Sequence, residues 1–379
     1  MTLYFLLRQI IIFVFTKKPY RFKSINTFIE EKKYIVDVAE SATFISKKHV
    51  CNELNIYKYP TILHENLNTR EIKRRPRYRS TGIFKNPDIY FYSLEDASIV
   101  GNQGLVYKNR TYIGESLRIW QNSRINFKSV LRFRMTKVLF LKGVVLNIAT
   151  LGADGGFYHF LHELLPKLYL LKAELSQFDH FLINGPSTEW KIKWLILTGI
   201  DLQKVTWIDH QSHFKCDQLI FTSPVINDQQ PTKYSILALR SFLNPLETDV
   251  KQLQKKIIWI TRDTEPMRNI FWEKEILRYY PKIEFVDLKH YSIIDTVNLL
   301  NNASHIISPH GAGLSNIFIC RENTNVMELY PETQSFQPCY SRISSLCSLN
   351  HFVLVLDFSN SRSKKGIKFL LSKLELFLR

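Results

Sequence analysis

Residues His305–Asn316 read HIISPHGAGLSN, in which an apolar run ends at Ser308, a Gly-Ala-Gly turn follows, and a helix is predicted to begin near Leu314. A strand that passes through a glycine turn into a helix is the repeating unit of a parallel sheet with crossover helices. Strands of the same sheet are predicted at Ile257–Ile260 (IIWI), Ile283–Val286 (IEFV), Val326–Leu329 (VMEL) and Phe352–Leu356 (FVLVL). The carboxyl-terminal part of the chain is therefore expected to form a Rossmann-like lobe.

A second set of apolar runs and helical patterns precedes the first. Strands are predicted at Val144–Ile148, Phe181–Ile183, Val205–Ile208 and Leu219–Phe221, and helices at Phe157–Leu171 and Trp190–Leu197. The stretch Asn227–Lys256 reads as a linker. We therefore expect an α/β fold of two Rossmann-like lobes, with ligands bound at the carboxyl ends of the strands in a cleft between the lobes. The regions are a basic amino-terminal segment with a short apolar helix (1–80), a first lobe (81–240) and a second lobe (241–379).

Composition excludes several classes of protein. The 379 residues carry 51 Lys and Arg against 34 Asp and Glu, a formal charge of +17, and 45% are hydrophobic, which excludes a disordered chain. The five cysteines are an odd number without a C-x-x-C pair. This pattern supports neither a disulfide framework nor a zinc site, so a reducing compartment is expected.

The amino terminus joins an apolar run, Leu3–Phe15, to a basic flank that ends at Lys23. The run is shorter than the roughly 20 residues of a spanning helix. It fits a helix that lies on an anionic membrane surface through residues 3–23, and packing on the protein's own core is the alternative. A basic cluster at residues 70–79 has no nucleic-acid-binding motif beside it, so nucleic acid is not an expected partner.

Two stretches favour a diphosphate ligand. Gly311 and Gly313 remove side-chain bulk, so that backbone N–H groups at a helix start can approach a phosphate, although a tight turn without a ligand is the alternative. In ITRDTEPMRNIFWE (260–273), Arg262 follows a strand and Arg268 precedes a helix. Two guanidinium groups there would neutralise a diphosphate, whereas pairing of Arg262 with a nearby surface carboxylate is the alternative.

The stretch Gly152–Leu171, GADGGFYHFLHELLPKLYLL, is a glycine turn that leads into a helix. His159 and Glu163 are four residues apart and share one face, so Glu163 is a candidate general base, with His162 the next candidate. An exposed Glu163 and a core His159 form the alternative. Since the order H-x-x-H-E matches no zinc motif, no metal is expected.

Glu328, in VMELYP (326–331), is predicted near the end of a strand. A carboxylate at that place can accept both hydroxyls of a ribose. Alone, this signal is weak.

Three blocks in this order resemble glycosyltransferase family 61: FYHFLHELLPKL, the ITRD stretch with its second arginine, and PHGAGLSNIF with VMELYP. The resemblance runs from about Asp88 to Leu356 and implies a GT-B-like fold, a nucleotide-sugar donor that is usually UDP-linked, and transfer with inversion. It places the family's acidic catalytic position on Glu163, beside His159. It places the family's arginine-rich strand end on Arg262 and Arg268 and its glycine loop on His310, Gly311, Ala312, Gly313 and Leu314. With Asn316 and Glu328 added, these are the candidate donor-binding residues. The family often has two adjacent arginines and an Asn-Glu pair where this chain has Arg262-Asp263 and Trp272-Glu273, which leaves the donor's identity open.

The sequence thus predicts an inverting glycosyltransferase that moves a hexosyl or pentosyl group from a UDP-sugar to a glycan acceptor. We expect a role in cell-surface or capsular polysaccharide synthesis, no cofactor, and a cytoplasmic location, peripheral at the inner face of the membrane. A catalytically inactive glycan-binding or scaffold protein of the same fold is the alternative. A Rossmann oxidoreductase is disfavoured, because no G-x-G-x-x-G follows the first strand of either lobe.

Overall fold

The chain forms two compact units, the first from residues 1–52 and 86–238 and the second from residues 53–85 and 239–379. The structure is a computed structural model. It describes residues 21–23, 54–56, 61–63, 83–85, 89–108, 111–113, 116, 137–226, 230–244, 256–261, 273–331, 337–356 and 364–378. The apolar run Leu3–Phe15 and the basic cluster at residues 70–79 lie outside the described residues.

The described strands, in chain order, are β1 (Arg21–Lys23), β2 (Leu54–Ile56), β3 (Thr61–Leu63), β4 (Ile83–Lys85), β5 (Phe91–Val100), β6 (Leu105–Lys108), β7 (Thr111–Ile113), β8 (Leu139–Asn147), β9 (His180–Asn184), β10 (Val205–Ile208), β11 (His213–Thr222), β12 (Lys256–Ile260), β13 (Ile283–Val286), β14 (Ala303–Pro309), β15 (Asn325–Pro331) and β16 (Asn350–Leu356).

The described helices are α1 (residues 157–170), α2 (Glu189–Thr198), α3 (Lys233–Leu243), α4 (Glu273–Tyr279), α5 (Ile293–Asn301), α6 (Cys339–Leu346) and α7 (Lys364–Leu378). Helix α1 consists of an α-helical turn (Phe157–His159), a π-helical turn (Phe160–Leu164) and a second α-helical part (Leu165–Leu170). Short 3₁₀ helices cover Leu175–Gln177, Leu202–Lys204, Leu288–His290 and Ala312–Ile319.

The sheet of the first unit has the order β1-β7-β6-β5-β11-β8-β9-β10. Strands β8 to β11 pair in parallel, with α1 and α2 as the crossovers from β8 to β9 and from β9 to β10. The chain then returns to place β11 on the other side of β8. The order of the strands therefore reverses between β8 and β11, and open α/β sheets bind ligands at such a switch point.

The three long strands of this sheet are irregular at the same level. Asp96 in β5 has φ of 50°, Gly143 in β8 has φ of 89°, and the register of β11 shifts between Cys216 and Gln218. Residues on both sides of this level, such as Phe214 and Phe221, belong to one buried cluster. The sheet thus bends there and encloses its core, as aligned bulges allow.

The sheet of the second unit has the order β13-β12-β14-β15-β16-β3, and all of its pairings are parallel. Its strands are short apolar runs buried on both faces, which is typical of a parallel sheet covered by helices. Strand β12 lies between β13 and β14, so that the strand order reverses between β12 and β14. Helix α7 covers one face with Leu370, Leu374 and Phe377, which pack into the same core as Trp259. Each such fully buried side chain stabilises the fold by roughly 1.5–3 kcal/mol.

The predicted α/β class is confirmed: each of the two units has a sheet with parallel strands and crossover helices, and every strand predicted above is present. Two local predictions were wrong. The expected linker contains α3, whose buried residues Ile236, Leu239 and Leu243 have helical spacing. The helix expected near Leu314 is the 3₁₀ helix Ala312–Ile319, which begins two residues earlier.

Candidate active site

The loop after β8 and helix α1 bring His159 and Glu163 together in the first unit. Nδ1 of His159 lies 2.6 Å from Oε1 of Glu163. The Glu163 side chain is only 2% exposed, whereas that of His159 is 28% exposed. The alternative of an exposed Glu163 therefore does not hold, because its carboxylate is buried next to the imidazole. Since the pair spans the π-helical turn, the wider turn helps to set this contact, and such turns are frequent at functional sites.

Two glycines of the preceding turn make room for the His159 ring. A Cβ at Gly152 or at Gly156 would lie 2.8 Å from Cδ2 of His159, closer than carbon atoms approach in proteins. Gly152 also has φ of 87°, a left-handed conformation that favours glycine. Gly155, in the same turn, has no atom within 4 Å of the Cβ position. A Cβ at Gly156 would also lie 2.6 Å from the Gly152 carbonyl oxygen, so the fit of the turn to this imidazole rests mainly on Gly152.

The charges near His159 favour its protonated form. Burial lowers the pKa of His159, but the hydrogen bond to Glu163 and the carboxylates of Glu163 and Asp154 outweigh this effect, so that the pKa is raised above its ordinary value of 6.5. His162, the second candidate base from the sequence, is fully buried, and its ring packs 4.9 Å from that of Tyr158. Solvent therefore reaches His159, whereas it does not reach His162.

A pocket lies at the switch point of the first unit, where β8 and β11 end. Its lining includes Asn147, Thr222, Glu163 and Lys167. Oε2 of Glu163 is buried there without a hydrogen-bond partner. A buried acceptor that lacks a donor is costly, and this oxygen has almost no accessible surface for a bound group.

Two buried lysines that the sequence analysis missed hold the loop after β8. The Lys167 ammonium donates to the carbonyls of Ile148 and Ala149 at 3.2 and 3.1 Å and to the Thr150 hydroxyl at 2.7 Å. Burial lowers the pKa of Lys167 to about 8, while the Glu163 charge opposes that shift. Lys191 donates to the Asp154 carbonyl at 2.8 Å and to the Asn184 carbonyl at 2.9 Å. The position of Lys167, four residues after Glu163, was a signal that could have found the first of them.

The glycine loop of the second unit lies at the switch point between β12 and β14. A Cβ at Gly313 would lie 2.8 Å from Cγ2 of Ile260, the last residue of β12, so glycine is required there by packing. Gly311 has an extended backbone with φ of 162°, which any residue adopts. Ala312 opens the 3₁₀ helix, Leu314 is fully buried, and Asn316 donates to the Gly313 carbonyl at 3.2 Å. The loop therefore presents backbone, rather than bulky side chains, at the end of the sheet.

Beneath this loop lies a buried chain of hydrogen bonds. Nδ1 of His310 contacts Oε1 of Glu328, Oε2 of Glu328 lies 3.0 Å from Nε2 of His351, and Nδ1 of His351 lies 2.7 Å from the Ser344 hydroxyl. The ring of Tyr340 packs 5.1 Å from that of His310. Burial raises the pKa of Glu328, but the two imidazoles outweigh burial and hold it below its ordinary value.

The predicted ribose-binding role of Glu328 is therefore corrected. The residue is 0% exposed and both of its oxygens are already engaged by imidazoles, so it fixes His310 instead of meeting a ligand. His351 and Ser344 were missed because they are separated from His310 in sequence by 41 and 34 residues, the differences 351 − 310 and 344 − 310.

Arg262 and Arg268 lie outside the described residues. The strand end that precedes Arg262 is described. Glu273 accepts hydrogen bonds from the Trp259 indole at 2.8 Å and from the Thr261 hydroxyl at 2.5 Å. These bonds join the start of α4 to the end of β12.

No group of three or more His, Cys, Asp or Glu side chains in the described ranges could hold a metal ion. Within the same ranges, no helix is both long enough and apolar enough to cross a membrane.

Residues 157–327 match the family model described as Glycosyltransferase 61. The match begins at the first residue of α1 and includes His159, Glu163 and the glycine loop. The chain carries a glycosyltransferase family 61 domain. The protein is accordingly a glycosyltransferase, as predicted. Glu328 lies one residue beyond the matched range of this domain.

Two solved structures similar to the chain are the E. coli heptosyltransferase WaaC with ADP and the same enzyme with ADP-2-deoxy-2-fluoro heptose. The first has a TM-score of 0.32 and 8% identity, and the second a TM-score of 0.28 and 7% identity. Each covers 62% of this chain and 99% of the heptosyltransferase chain. No curated protein matches the chain significantly.

Proposed function

We propose that this glycosyltransferase moves a sugar from a nucleotide diphosphate donor, UDP-linked, to a hydroxyl of a glycan acceptor, with inversion at the anomeric carbon. The observation that carries this proposal is the contact between His159 and Glu163 at the carboxyl edge of the first sheet. A buried carboxylate bonded to a partly exposed imidazole is an arrangement that accepts a proton from a hydroxyl.

The chemistry follows from this pair. The acceptor oxygen forms a bond to the anomeric carbon while the bond from that carbon to the phosphate oxygen breaks. The hydroxyl proton passes to the His159–Glu163 pair, and the nucleoside diphosphate leaves with the electrons of the broken bond. Attack from the face opposite the leaving group inverts the configuration.

The second unit is proposed to bind the donor. The glycine loop after β14 lies at a switch point of a parallel sheet, where the backbone N–H groups of a helix start favour a phosphate. Arg262 and Arg268 would add cations that match a diphosphate, and His310 and Asn316 lie at the same loop. Charge stabilisation by these groups would assist departure of the leaving group. We propose that no metal ion is needed.

The cellular role is proposed to be cell-surface or capsular polysaccharide synthesis at the inner face of the membrane. Support comes from the composition: a formal charge of +17 and the apolar run Leu3–Phe15 with its basic flank. An anionic membrane attracts such segments.

Thermal unfolding with UDP tests the donor site. A ligand that binds the folded state raises the melting temperature by mass action, so UDP should stabilise the wild-type protein and the shift should be lost in Arg262→Ala. Arg278→Ala, at an exposed arginine of α4, is the matched control and should keep the shift. A panel of nucleotide sugars then identifies the donor by hydrolysis and transfer. Stabilisation by NAD and by no nucleoside diphosphate would refute the proposal, and UDP binding without transfer to any glycan would favour the glycan-binding alternative.

A further inference from the structure

The two members of the pair differ in which of their atoms a substrate can touch. A general base must come within roughly 2.6–3.2 Å of the oxygen whose proton it takes. Oε1 of Glu163 is engaged by His159, and Oε2 is buried with almost no accessible surface. The His159 side chain keeps 28% of its surface exposed. His159 is not among the residues that line the pocket beside Glu163, but it is the member of the pair whose side chain is open to an acceptor hydroxyl.

The hydrogen bond also determines which nitrogen of His159 carries the hydrogen. A carboxylate oxygen only accepts, so Nδ1 of the neutral imidazole donates to Glu163 and Nε2 holds the lone pair. Within the described part of the chain, no hydrogen-bond partner of Nε2 is found. Nε2 would lie 3.2 Å from a Cβ at Gly152, so it lies beside the glycine turn.

We infer that Nε2 of His159 is the general base of the transfer reaction and that Glu163 is a positioning residue that acts through it. This inference rests on the proposed function and divides the roles within the pair. The acceptor O–H bond breaks as the oxygen bonds to the anomeric carbon, its proton moves to Nε2, and the imidazolium that forms is stabilised by Glu163. The proton is then released to solvent.

The glycine turn is an independent observation in favour of His159. Gly152 and Gly156 both approach the imidazole too closely for a side chain, whereas Gly155 does not. A Cβ at Gly156 would first meet the carbonyl oxygen of Gly152, at 2.6 Å, whereas the three nearest atoms to a Cβ at Gly152 all belong to the His159 ring. The fit around the ring is therefore carried by Gly152, and such a fit is expected when the position of that ring matters. An imidazole that merely shielded a catalytic carboxylate would not need this fit.

The charged groups around His159 predict the pH dependence. Its carboxylate neighbours are Glu163 and Asp154, which raise its pKa. Among the described cations, Lys167 interacts with the Glu163 charge and Lys191 donates to the Asp154 carbonyl. Because the base must be unprotonated, kcat/KM should rise with pH through the pKa of His159. In Glu163→Gln the carboxylate is absent, so the pKa falls and this rise should move to lower pH, with a lower plateau.

The test compares transfer by His159→Ala, His159→Gln and Glu163→Gln across this pH range. Both His159 variants should lose about 10²–10⁴-fold in kcat/KM, as is typical for a general base. Added imidazole should restore part of the activity of His159→Ala, which a merely structural role would not allow. His210→Ala is the matched control, since His210 is an exposed histidine of the same unit. UDP binding should remain in every variant and shows that each is folded.

Three results would overturn the inference. Transfer by both His159 variants within tenfold of wild type would return the role of base to Glu163. Rescue of Glu163→Ala by formate, without rescue of His159→Ala by imidazole, would do the same. Failure of the wild-type protein to transfer sugar from any nucleotide sugar would overturn the proposed function itself, and the base assignment with it.

Discussion

Replacement of Lys167 by methionine should change how the stability of the protein depends on pH. The Lys167 ammonium is buried and donates three hydrogen bonds to the loop at residues 148–150. Burial lowers its pKa from an ordinary value of 10.5 to about 8. Between these two values the folded protein has lost the proton that the unfolded chain still binds. Since stability rises with pH wherever the unfolded state binds more protons, the free energy of unfolding rises across this range as the cost of the buried charge is removed.

The size of the effect follows from the two pKa values. Their difference, 10.5 − 8, corresponds to about 3 kcal/mol at about 1.4 kcal/mol for each pKa unit. Methionine has a similar length and does not titrate. We therefore compare the free energy of unfolding of wild type with that of Lys167→Met. The difference, wild type minus variant, should rise by about 3 kcal/mol between neutral pH and a pH above the pKa of Lys167 in the unfolded chain.

Urea unfolding followed by circular dichroism at a series of pH values measures this difference. Lys172→Met, at an exposed lysine soon after α1, is the control and should show a constant difference. A difference that is flat or that falls with pH for Lys167→Met would refute the burial of this ammonium and its place behind Glu163.

Two further predictions concern the second unit and the amino terminus. Glu328→Gln should destabilise the protein by about 1–3 kcal/mol at neutral pH, because one amide oxygen cannot accept from both His310 and His351. The folded pKa of Glu328 is below its ordinary value, so wild type should lose this stability as pH falls through the folded pKa. The unfolding free energies of the two proteins, measured by urea titration at acid pH, should therefore converge. Unfolding free energies that stay parallel would contradict the burial of Glu328. Removal of residues 1–23 should release the protein from vesicles of anionic lipid, as measured by co-sedimentation, without loss of transfer activity. An insoluble truncated protein would instead assign that segment to the core.

The strands and their class could be predicted from local sequence. Runs such as Ile257–Ile260 and Ile283–Val286 are short, apolar and rich in β-branched residues. Stretches in which polar and apolar residues alternate with helical periodicity separate such runs. The physical reason is that a strand of a parallel sheet is buried on both faces, so its hydrophobicity appears within a few residues. Helix α3 was missed because the prolines on either side of it, Pro231 and Pro245, and its polar flanks suggested a linker, although its apolar residues have helical spacing.

The residue types of the candidate site could also be predicted from the sequence, since His159, Glu163 and the glycine loop lie in contiguous motifs. Their orientation could not be predicted. Whether a carboxylate four residues from a histidine faces a ligand or the core depends on what packs on the helix, and here the π-helical turn and the glycine turn place Glu163 behind His159.

The sequence by itself thus determined the α/β class, the strands, the family and the residues from which the site is built, because each of these is written in a local pattern. Only the tertiary structure decided which side chains meet over long separations. Glu328 joins His310 to His351 across three neighbouring strands, and Lys167 and Lys191 hold one loop from two different helices. The cost of burying these charges is met by partners that lie elsewhere in the chain, and sequence spacing does not reveal such partners.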